Sequence, residues 1–412
     1  MGLLNQPTFK LRSEAALGQP LSAEQITCLT ALAFLHDLGK VAPAFQAIAW
    51  GKDKANIVGH LECGLYWQHD MVEGSCLDGL AGEIGAWPDI DMWMQVIYAH
   101  HGRPVKYPQN AKATAAFADR NNYSWREADA MLGQAMRRWF PEITNSRPPA
   151  AQSAFAHFIC GLLNLADWIG SDRRAFPYKA DYDPNYWVRA QEQASNRLQE
   201  LSFTNRLELQ NLSDWELISD HPNPRAAQKA VGEVSVDERL IILEAETGAG
   251  KTEAALWRFV SLYRARKVDA LYFAVPTRAA ARQLHKRIND ALARMFVEPP
   301  EAVLAIPGQI LAGEATAQRL PDFQFLWDDE KYSGSRWAAE HSARYLTARI
   351  AIGTVDQVAL GGLQAKFAHL RGTAVSRALL VIDEVHASDP YMTEVQNNLL
   401  QSHLALGGSA ML

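Results

Sequence analysis

The string Ala245–Thr252, near the middle of the chain, has the residue types and spacing of a phosphate-binding loop. Gly248 and Gly250 allow the backbone to turn so that its N–H groups face phosphate oxygens. Lys251 reaches the β- and γ-phosphates of a nucleoside triphosphate, and the hydroxyl of Thr252 binds Mg²⁺. Alanine stands at the first position instead of the glycine of the strict pattern, and it is small enough for the same turn. We therefore expect the nucleotide to contact Thr247, Gly248, Ala249, Gly250, Lys251 and Thr252.

Two adjacent carboxylates, Asp383 and Glu384, follow the apolar run Ala378–Ile382. A triphosphate site needs one carboxylate to hold Mg²⁺ and another to orient and deprotonate the attacking water. We assign Asp383 to the metal and Glu384 to the water. The alternative is a pair of acids that caps a following helix, which is less favoured in a chain that also contains the glycine loop.

Five of the twelve histidines lie within the first 101 residues, a density that indicates a metal site. Asp37 belongs to an otherwise apolar helical pattern, where an unpaired carboxylate is costly. Adjacent helical residues diverge by about 100°, so His36 and Asp37 suit a site with two metals that the aspartate bridges. His100 and His101 are adjacent in the same way as His36 and Asp37. Asp167 lies on the apolar face of a helical pattern, where an acid is again costly. Each residue alone is more simply a satisfied polar group in a core, but the set together predicts a metal centre.

His60 and His69 compete as a further metal ligand. Nine positions on a helix amount to about half a turn of offset, so the two side chains face opposite sides. His60 has small neighbours that permit close packing, so we choose His60 and interpret His69 and Asp70 as solvated surface. Histidine-rich sites suit Fe, Mn, Co, Ni and Zn alike, and we expect two ions of Fe, Mn, Co or Ni.

The two halves of the chain differ in their hydrophobic patterns. Helical spacing of apolar residues predicts helices over Ile26–Leu38, Met92–Tyr98 and Phe155–Ile169. After Arg239, helical segments alternate with short apolar strands at Leu240–Leu243, Leu271–Val275, Ile350–Ile352 and Leu379–Ile382. Such alternation predicts a parallel sheet with crossover helices. The chain is therefore expected to be multidomain, with an all-α domain over 1–185, a linker over 186–220 and an α/β P-loop domain over 221–412.

Composition narrows the functional classes. The net charge of −6 shows no chain-wide preference for nucleic acid, so any such surface must be local. Four cysteines without a C-x-x-C pair argue against a disulfide framework or a zinc knuckle, and they fit a reducing cytoplasm. The sequence has no secretory signal and no apolar run long enough to span a bilayer, so we expect no membrane partner.

The nucleotide motifs resemble those of superfamily 2 helicases of the DEAD/DEAH-box type. The string Asp383-Glu384-Val385-His386 is similar to their motif II, and Ala245–Thr252 is similar to their motif I. The resemblance implies a RecA-like lobe that hydrolyses ATP with Mg²⁺. It further implies that DNA contacts Pro276, Thr277 and Arg278 of a motif Ia and Thr354 of a motif Ib, Gly353–Gln357. A Q-like motif before the loop implies that adenine is read by Arg225 and Gln228.

The histidine and aspartate pattern resembles that of the HD-domain phosphohydrolases. An HD domain that runs directly into a DEVH-type helicase is similar to the helicase–nuclease of type I CRISPR systems. This resemblance implies that divalent metals are held by His36, Asp37, His60, His100, His101 and Asp167. It also implies that Asp37 acts in catalysis and that Lys40 lies near the scissile phosphate.

The same resemblance implies a role in degrading foreign DNA. The family cuts single-stranded DNA, moves 3′ to 5′ with ATP, and is recruited by a crRNA-guided surveillance complex. The implied location is the cytoplasm of a bacterium or archaeon. Two departures matter: no histidine precedes His36, and the chain stops at Leu412, before the second RecA-like lobe of the family. We therefore expect a fragment truncated at both ends, with a one-metal or impaired nuclease site and deficient ATP turnover.

Two alternative functions remain open. The chain could be an HD-type nucleotide phosphohydrolase with a regulatory P-loop domain, which would release phosphate from small nucleotides. It could instead be a non-catalytic recruitment module with a vestigial metal site. Analysis of metal bound to the purified chain separates the enzymes from the recruitment module.

Overall fold

The computed structural model describes residues 1–49, 59–70, 76–106, 114–118, 122–177, 185–246, 248–320 and 325–412. The backbone forms two compact units, and the first contains residues 19–167. The second unit combines residues 2–18 with residues 168–412. The domain boundaries at 185 and 220 stay a prediction.

The first unit is helical. A capping box begins its first helix, in which the Ser22 side chain accepts from Gln25 N and the Gln25 side chain accepts from Ser22 N. Large apolar side chains such as Trp93, Phe155 and Phe158 are buried. The helices are Ala23–Phe34, Pro43–Ala49, His60–Asp70, Leu80–Gly85, Ile90–Tyr98, Trp125–Trp139 and most of Ser153–Gly170. Among the described residues of this unit, 3₁₀ segments also lie at Leu35–Val41, Ala99–His101 and Pro141–Thr144.

The helix predicted over Ile26–Leu38 changes its winding before His36. The α-helix ends at Phe34, and the backbone continues as the 3₁₀ segment Leu35–Val41. Within this segment Gly39 packs against the backbone of His60, whose carbonyl oxygen would lie 1.7 Å from any added Cβ. Only glycine permits this approach. The close contact brings the turn that carries His36 and Asp37 against the start of the helix that carries His60.

The second unit is built on a nine-stranded sheet in the order β1-β9-β8-β2-β7-β3-β4-β5-β6. The first six strands in this order run parallel, as the alternation of strands and helices predicts. Strands β4, β5 and β6 extend the sheet in antiparallel fashion, and the apolar pattern gave no indication of them. The strands are β1 Leu240–Ile241, β2 Ala270–Val275, β3 Val303–Ala305, β4 Leu311–Ala312, β5 Ala315–Arg319, β6 Phe325–Trp327, β7 Ile350–Thr354, β8 Ala378–Ile382 and β9 Ser409–Met411.

Helices cover both faces of this sheet. Residues of β2 alternate between them: Leu271 and Phe273 join one apolar core, and Tyr272 and Ala274 join the other. An all-α unit followed by a RecA-like α/β unit confirms the predicted fold class. The helices are Pro7–Leu17, Tyr186–Glu200, Ala226–Gly232, Lys251–Arg264, Arg278–Met295, Gly334–Ala339, Val355–Ala359, Ala368–Ser376 and Pro390–Ala405. Short 3₁₀ turns lie at Tyr345–Thr347, Leu360–Gly362 and Val385–Ala387.

The helix Pro7–Leu17 is anchored in the second unit by Arg12, which is buried. Its guanidinium donates to the carbonyl oxygens of Lys267, Ser376 and Gly407. These residues lie two or three positions before the starts of β2, β8 and β9, which are neighbours in the sheet. One side chain from the start of the chain therefore ties together the approaches to three strands.

Among the helices described, none has the combination of length and apolar character that a membrane crossing requires.

Candidate metal centre and nucleotide site

The six predicted metal ligands come together in the first unit. His36 and Asp37 lie in the 3₁₀ segment Leu35–Val41, and His60 is the first residue of its helix. His100 and His101 end a 3₁₀ turn that follows the helix Ile90–Tyr98. Asp167 lies three residues before the end of the helix Ser153–Gly170. Both dipeptides thus occur where an α-helix tightens into a 3₁₀ turn, which redirects the side chains at the helix end.

The carboxylate of Asp37 stands at the centre of this cluster. Its Oδ1 atom lies 3.2 Å from Nε2 of His60 and 3.8 Å from Nε2 of His100. Its Oδ2 atom lies 3.2 Å from Nε2 of His36, which is also 3.7 Å from Oδ1 of Asp167. The structure therefore places this carboxylate where a bridging ligand would be.

Two overlapping groups of donor atoms are present among the described residues. One group contains His60, His100 and His101, and the other contains His36, Asp37 and His100, with the donor atoms of each group within 4.8 Å of one another. Each group has the three donors that a catalytic transition-metal site commonly takes from protein. His100 belongs to both groups, and one ring nitrogen binds one ion, so the number of ions bound stays a prediction. The side chains of His69 and Asp70 lie outside the described residues, so their interpretation as surface also stays a prediction.

Backbone carbonyls fix the orientation of two of the rings. The Nδ1 atom of His36 lies 2.7 Å from the carbonyl oxygen of Ala33, and Nδ1 of His100 lies 2.7 Å from that of Ile97. A carbonyl can only accept, so Nδ1 carries the proton and the Nε2 lone pair faces the cluster in the neutral ring. This arrangement is typical of metal-binding histidines.

Three buried atoms of the cluster have no hydrogen-bond partner: Asp37 Oδ1, His60 Nε2 and His100 Nε2. Orphaned buried polar atoms are costly in a protein interior. Asp37 Oδ1 lies 3.2 Å from His60 Nε2 and 3.8 Å from His100 Nε2 without a hydrogen bond, as expected of ligands that share an ion. The residues present therefore fit a divalent metal.

The charges within the cluster shift its pKa values. Burial alone would raise the pKa of Asp37, but His36, His60 and Lys40 lower it far below its ordinary value. Burial likewise opposes the charged form of His36, yet Asp167 and Asp37 raise its pKa to about 9. Burial lowers the pKa of His100 to about 4. The site thus holds anionic carboxylates and draws positive charge toward them.

Lys40 lies beside this cluster. Its ammonium is 2.5 Å from Oδ2 of Asp37, and its side chain is 43% exposed. An apolar cavity of about 440 Å³ opens next to it, with Asp37 and Lys40 in its wall. A partly exposed cation at the edge of a metal centre suits contact with a phosphate. The role near the scissile phosphate stays a prediction.

The phosphate loop of the second unit depends on two glycines with left-handed backbone. Gly248 has φ 84° and Gly250 has φ 86°, and the helix Lys251–Arg264 begins directly afterwards. The Arg225 side chain donates to the Gly248 carbonyl, and the buried Gln228 amide donates to the Gly250 carbonyl at 3.2 Å. The Q-like motif therefore supports the loop here, and its contact with adenine stays a prediction.

The acids after β8 face the phosphate loop. Lys251 Nζ lies 3.0 Å from Oε1 of Glu384 and 3.9 Å from Oδ1 of Asp383. Burial raises the pKa of Asp383, whereas the hydrogen bond from Lys251 lowers that of Glu384. Glu384 also has φ 56°, a left-handed conformation that is unusual for glutamate. Such strain commonly accompanies a functional position.

A cavity of about 610 Å³ lies against the loop and the Q-like motif. Arg225, Gln228 and Thr252 are among its lining residues, as expected of a nucleotide site. Its wall also contains Arg287, which pairs with Glu253 at 2.9 Å and which we did not predict as a nucleotide contact. The sequence signal for this contact was weak, because a single basic residue on a helix is usually interpreted as a solvated surface residue. Thr247 lies outside the described residues, while Ala249 belongs to the turn between the two glycines.

The predicted DNA contacts lie at the carboxyl ends of β2 and β7, whose residues Val275 and Thr354 are paired. Pro276, Thr277 and Arg278 are exposed, and the Thr277 side chain accepts from Ala280 N to begin the next helix. Thr354 is only 6% exposed. The motif Ia residues are accessible to a strand, whereas Thr354 offers little surface for one.

Two family models match most of the chain. A model described as Cas3, HD domain, matches residues 3–176, and a model described as DEAD/DEAH box helicase matches residues 225–410. The chain belongs to the Cas3 family. In that family the HD domain carries a metal centre and the helicase domain carries an ATP site with Mg²⁺.

The sequence relatives are also Cas3 proteins. The chain is 31% identical over 413 residues to the CRISPR-associated endonuclease/helicase Cas3 of Thermus thermophilus, with 93% of this chain and 43% of the relative covered. It is 26% identical over 424 residues to that of Escherichia coli, with 92% of this chain and 46% of the relative covered. The chain therefore spans less than half the length of these Cas3 relatives.

Solved structures share the fold. The crystal structure of T. fusca Cas3 has a TM-score of 0.75 at 22% identity, with 99% of this chain and 45% of that chain covered. A chain of a CRISPR RNA-guided surveillance complex in a pre-nicking state has a TM-score of 0.62 at 20% identity, with 99% and 42% covered. The Cas3 fold thus extends over both units of this chain.

Proposed function

We propose that this chain contains a metal-dependent nuclease for single-stranded DNA, joined to part of an ATP-driven 3′–5′ DNA helicase that acts in CRISPR interference. The observation that carries the proposal is the convergence of His36, His60 and His100 on the partly buried carboxylate of Asp37, with Asp167 beside His36. Asp37 Oδ1, His60 Nε2 and His100 Nε2 are buried without hydrogen-bond partners. A shared divalent metal ion would satisfy these atoms.

The residues of the first unit divide the work of phosphodiester hydrolysis. When bound, a divalent metal lowers the pKa of water and stabilises the developing negative charge on phosphate oxygens. Asp37, His36 and Asp167 would hold one ion, and His60, His100 and His101 would complete the second position. Lys40 would bind the phosphate that is cut, since its ammonium reaches the edge of the cluster. Of the suitable metals we propose Mn, Co, Ni or Fe.

The second unit would bind ATP with Mg²⁺. Lys251 and Thr252 would contact the phosphates and the magnesium, Asp383 would hold the metal, and Glu384 would orient water. The cavity beside Gln228 and Arg225 would receive the base. Pro276, Thr277 and Arg278 would contact the backbone of a single strand.

A crRNA-guided surveillance complex is the proposed recruiting partner, and the cytoplasm is the proposed location. The support is the shared fold with a chain of such a complex. At an identity of 20%, this support extends to the fold alone.

The test is cleavage of a labelled single strand by the full chain with Mn²⁺, Co²⁺ or Ni²⁺, against EDTA. The expected result is metal-dependent cutting of the strand and no release of phosphate from small nucleotides. Release of phosphate from nucleotides without any cutting of DNA would support the phosphohydrolase instead. A purified chain that binds no transition metal would leave only the recruitment module.

A further inference from the structure

Three aromatic rings of the second unit meet at Trp168, the residue that follows Asp167 in the chain. The ring centroid of Trp168 lies 4.7 Å from that of His341 and 5.2 Å from that of Phe367. Both contacts are nearly perpendicular, at 84° and 82°. His341 is exposed, and Trp168 and Phe367 are partly exposed. The rings therefore present aromatic surface to solvent instead of being enclosed in a core.

Cations border these rings. The ammonium of the exposed Lys366 lies 4.8 Å from the centroid of Phe367, and the guanidinium carbon of Arg344 lies 5.4 Å from that of Trp168. Glu340 pairs with Arg344 at 3.3 Å, and the carboxylate of Asp172 also acts on Arg344. The balance of charge around the rings is positive, which favours an anionic ligand.

The pKa of His341 reflects the same excess of positive charge around the rings. Partial desolvation by its neighbours, and then the positive charges of four side chains, lower the pKa of His341 to about 4. The four side chains are Arg344, Arg371, Arg319 and Lys366. At neutral pH the ring of His341 is therefore uncharged, which suits it to stacking.

Phe367 is held in a conformation that a bulky residue seldom adopts. Its φ is 63°, in the left-handed region, and it stands directly before the helix Ala368–Ser376. This conformation costs about 1–2 kcal/mol for a residue with a Cβ. Backbone strain of this kind is concentrated at binding and catalytic sites. The strained turn directs the phenyl ring onto Trp168 and leaves Lys366 at the surface.

We propose that Trp168, His341, Lys366 and Phe367 form a surface that binds single-stranded DNA. Proteins that bind single strands without sequence preference combine aromatic rings, on which bases stack, with cations that contact the phosphates. A duplex offers no free base faces, so the surface would select single strands. This inference rests on the proposed function, because it names residues that hold the strand supplied to the nuclease.

The position of the surface in the sequence fits that role. Trp168 is bonded to Asp167, a predicted metal ligand. The loop before Phe367 follows the 3₁₀ turn Leu360–Gly362, shortly after the predicted DNA contact Thr354. Neither segment was among the motifs that the sequence pattern indicated for DNA.

The test is the affinity of the full chain for a fluorescently labelled oligothymidylate of about 20 nucleotides, measured by anisotropy in EDTA without ATP. His341→Ala is expected to weaken binding about fivefold or more, because stacking of one base contributes at least about 1 kcal/mol. His341→Phe keeps a ring and is expected to retain the affinity. Lys366→Ala is expected to weaken binding and to reduce the slope of log K against log salt by about 0.7. Lys267→Ala is the matched control, since Lys267 is partly exposed and pairs with Asp237 at 2.9 Å.

Several outcomes would overturn the proposal. Variants of His341 and Lys366 that bind the oligonucleotide like the wild type would exclude the surface, even if the wild type still cuts DNA. A loss of thermal stability without a change in affinity or salt slope would show that the rings only hold the loop. Tighter binding of duplex than of single strand would also contradict it. A wild-type chain that neither binds nor cuts single strands would instead refute the proposed nuclease function.

Discussion

The ammonium of Lys251 lies 3.0 Å from Oε1 of Glu384, and this ion pair joins the phosphate loop to the acid that follows β8. Both side chains are partly buried, with 28% and 33% of their surface exposed. A bound triphosphate would compete with Glu384 for Lys251. Nucleotide binding would therefore break the pair and release the carboxylate to act on water.

Replacement of Glu384 by glutamine is expected to preserve or strengthen ATP binding. The substitution removes the anion that competes with phosphate for Lys251, while the loop remains intact. Lys251→Ala is expected to reduce ATP affinity at least tenfold, because it removes the cation that contacts the phosphates. Titration with a fluorescent ATP analogue measures both. Equal losses of affinity in the two variants would contradict the competition between phosphate and carboxylate.

Metal content is expected to distinguish the two groups of ligands. Asp37 is central to the cluster, so Asp37→Asn should remove most bound metal. His101 belongs only to the group with His60 and His100, so His101→Ala should lower the stoichiometry by about one ion. Elemental analysis after equilibration with Mn²⁺ measures this. Asp91→Asn, an exposed carboxylate of the same unit, serves as the control and should retain wild-type content. A wild-type content in Asp37→Asn would exclude the assigned centre.

Acid is expected to destabilise the second unit through His403. This side chain is buried, and burial lowers its pKa to about 4, although the carbonyl of Ser409 opposes the shift. The unfolded histidine has a pKa of about 6.5. Between these values the unfolded chain binds more protons, so the free energy of unfolding falls as pH falls through this window. The slope approaches about 1.4 kcal/mol per pH unit. The free energy of unfolding of His403→Leu should change less between pH 6.5 and 4.5 than that of the wild type, as thermal unfolding measures. Equal pH slopes of this free energy in the two proteins would refute the assignment of the pH dependence to His403.

Loss of the Arg12 side chain is expected to loosen the edge of the sheet from which β2, β8 and β9 begin. Arg12→Ala leaves three carbonyls without their donor, at a cost on the order of 3 kcal/mol or more. Hydrogen exchange should accelerate in the segments around Lys267, Ser376 and Gly407. Leu11→Ala, at an exposed position of the same helix, is the control and should leave exchange unchanged. Acceleration restricted to the helix Pro7–Leu17 would contradict the anchoring role.

The sequence was sufficient for the elements whose patterns are local. The parallel strands β2, β7 and β8 are continuous apolar runs, and all were predicted to within two residues. The sheet extension β4–β6 was missed because its strands are short and half exposed, so their side chains show no apolar alternation. The anchoring of Pro7–Leu17 could not be predicted for a different reason. Its anchor Arg12 binds carbonyls that are 255 to 395 residues away in sequence, and no local pattern encodes them.

For the metal cluster as well, local sequence patterns predicted one part, and packing between distant segments determined the rest. Residue types and the cost of buried acids indicated which side chains belong together, and the structure brings all six close to one another. The predicted α-helical geometry of this pair was wrong, because His36 and Asp37 lie in a 3₁₀ segment. What sequence could not supply was the close packing of Gly39 on His60, which brings two distant segments into one site.

The most direct test of the nuclease assignment is the rate of single-strand cleavage by Asp37→Ala in Mn²⁺, compared with the wild type and with the Asp91→Asn control. Cleavage by wild type and control that EDTA abolishes, with a loss of at least about 100-fold in Asp37→Ala, is the predicted result. Cutting by Asp37→Ala at the wild-type rate would contradict the proposal that this metal centre cleaves DNA.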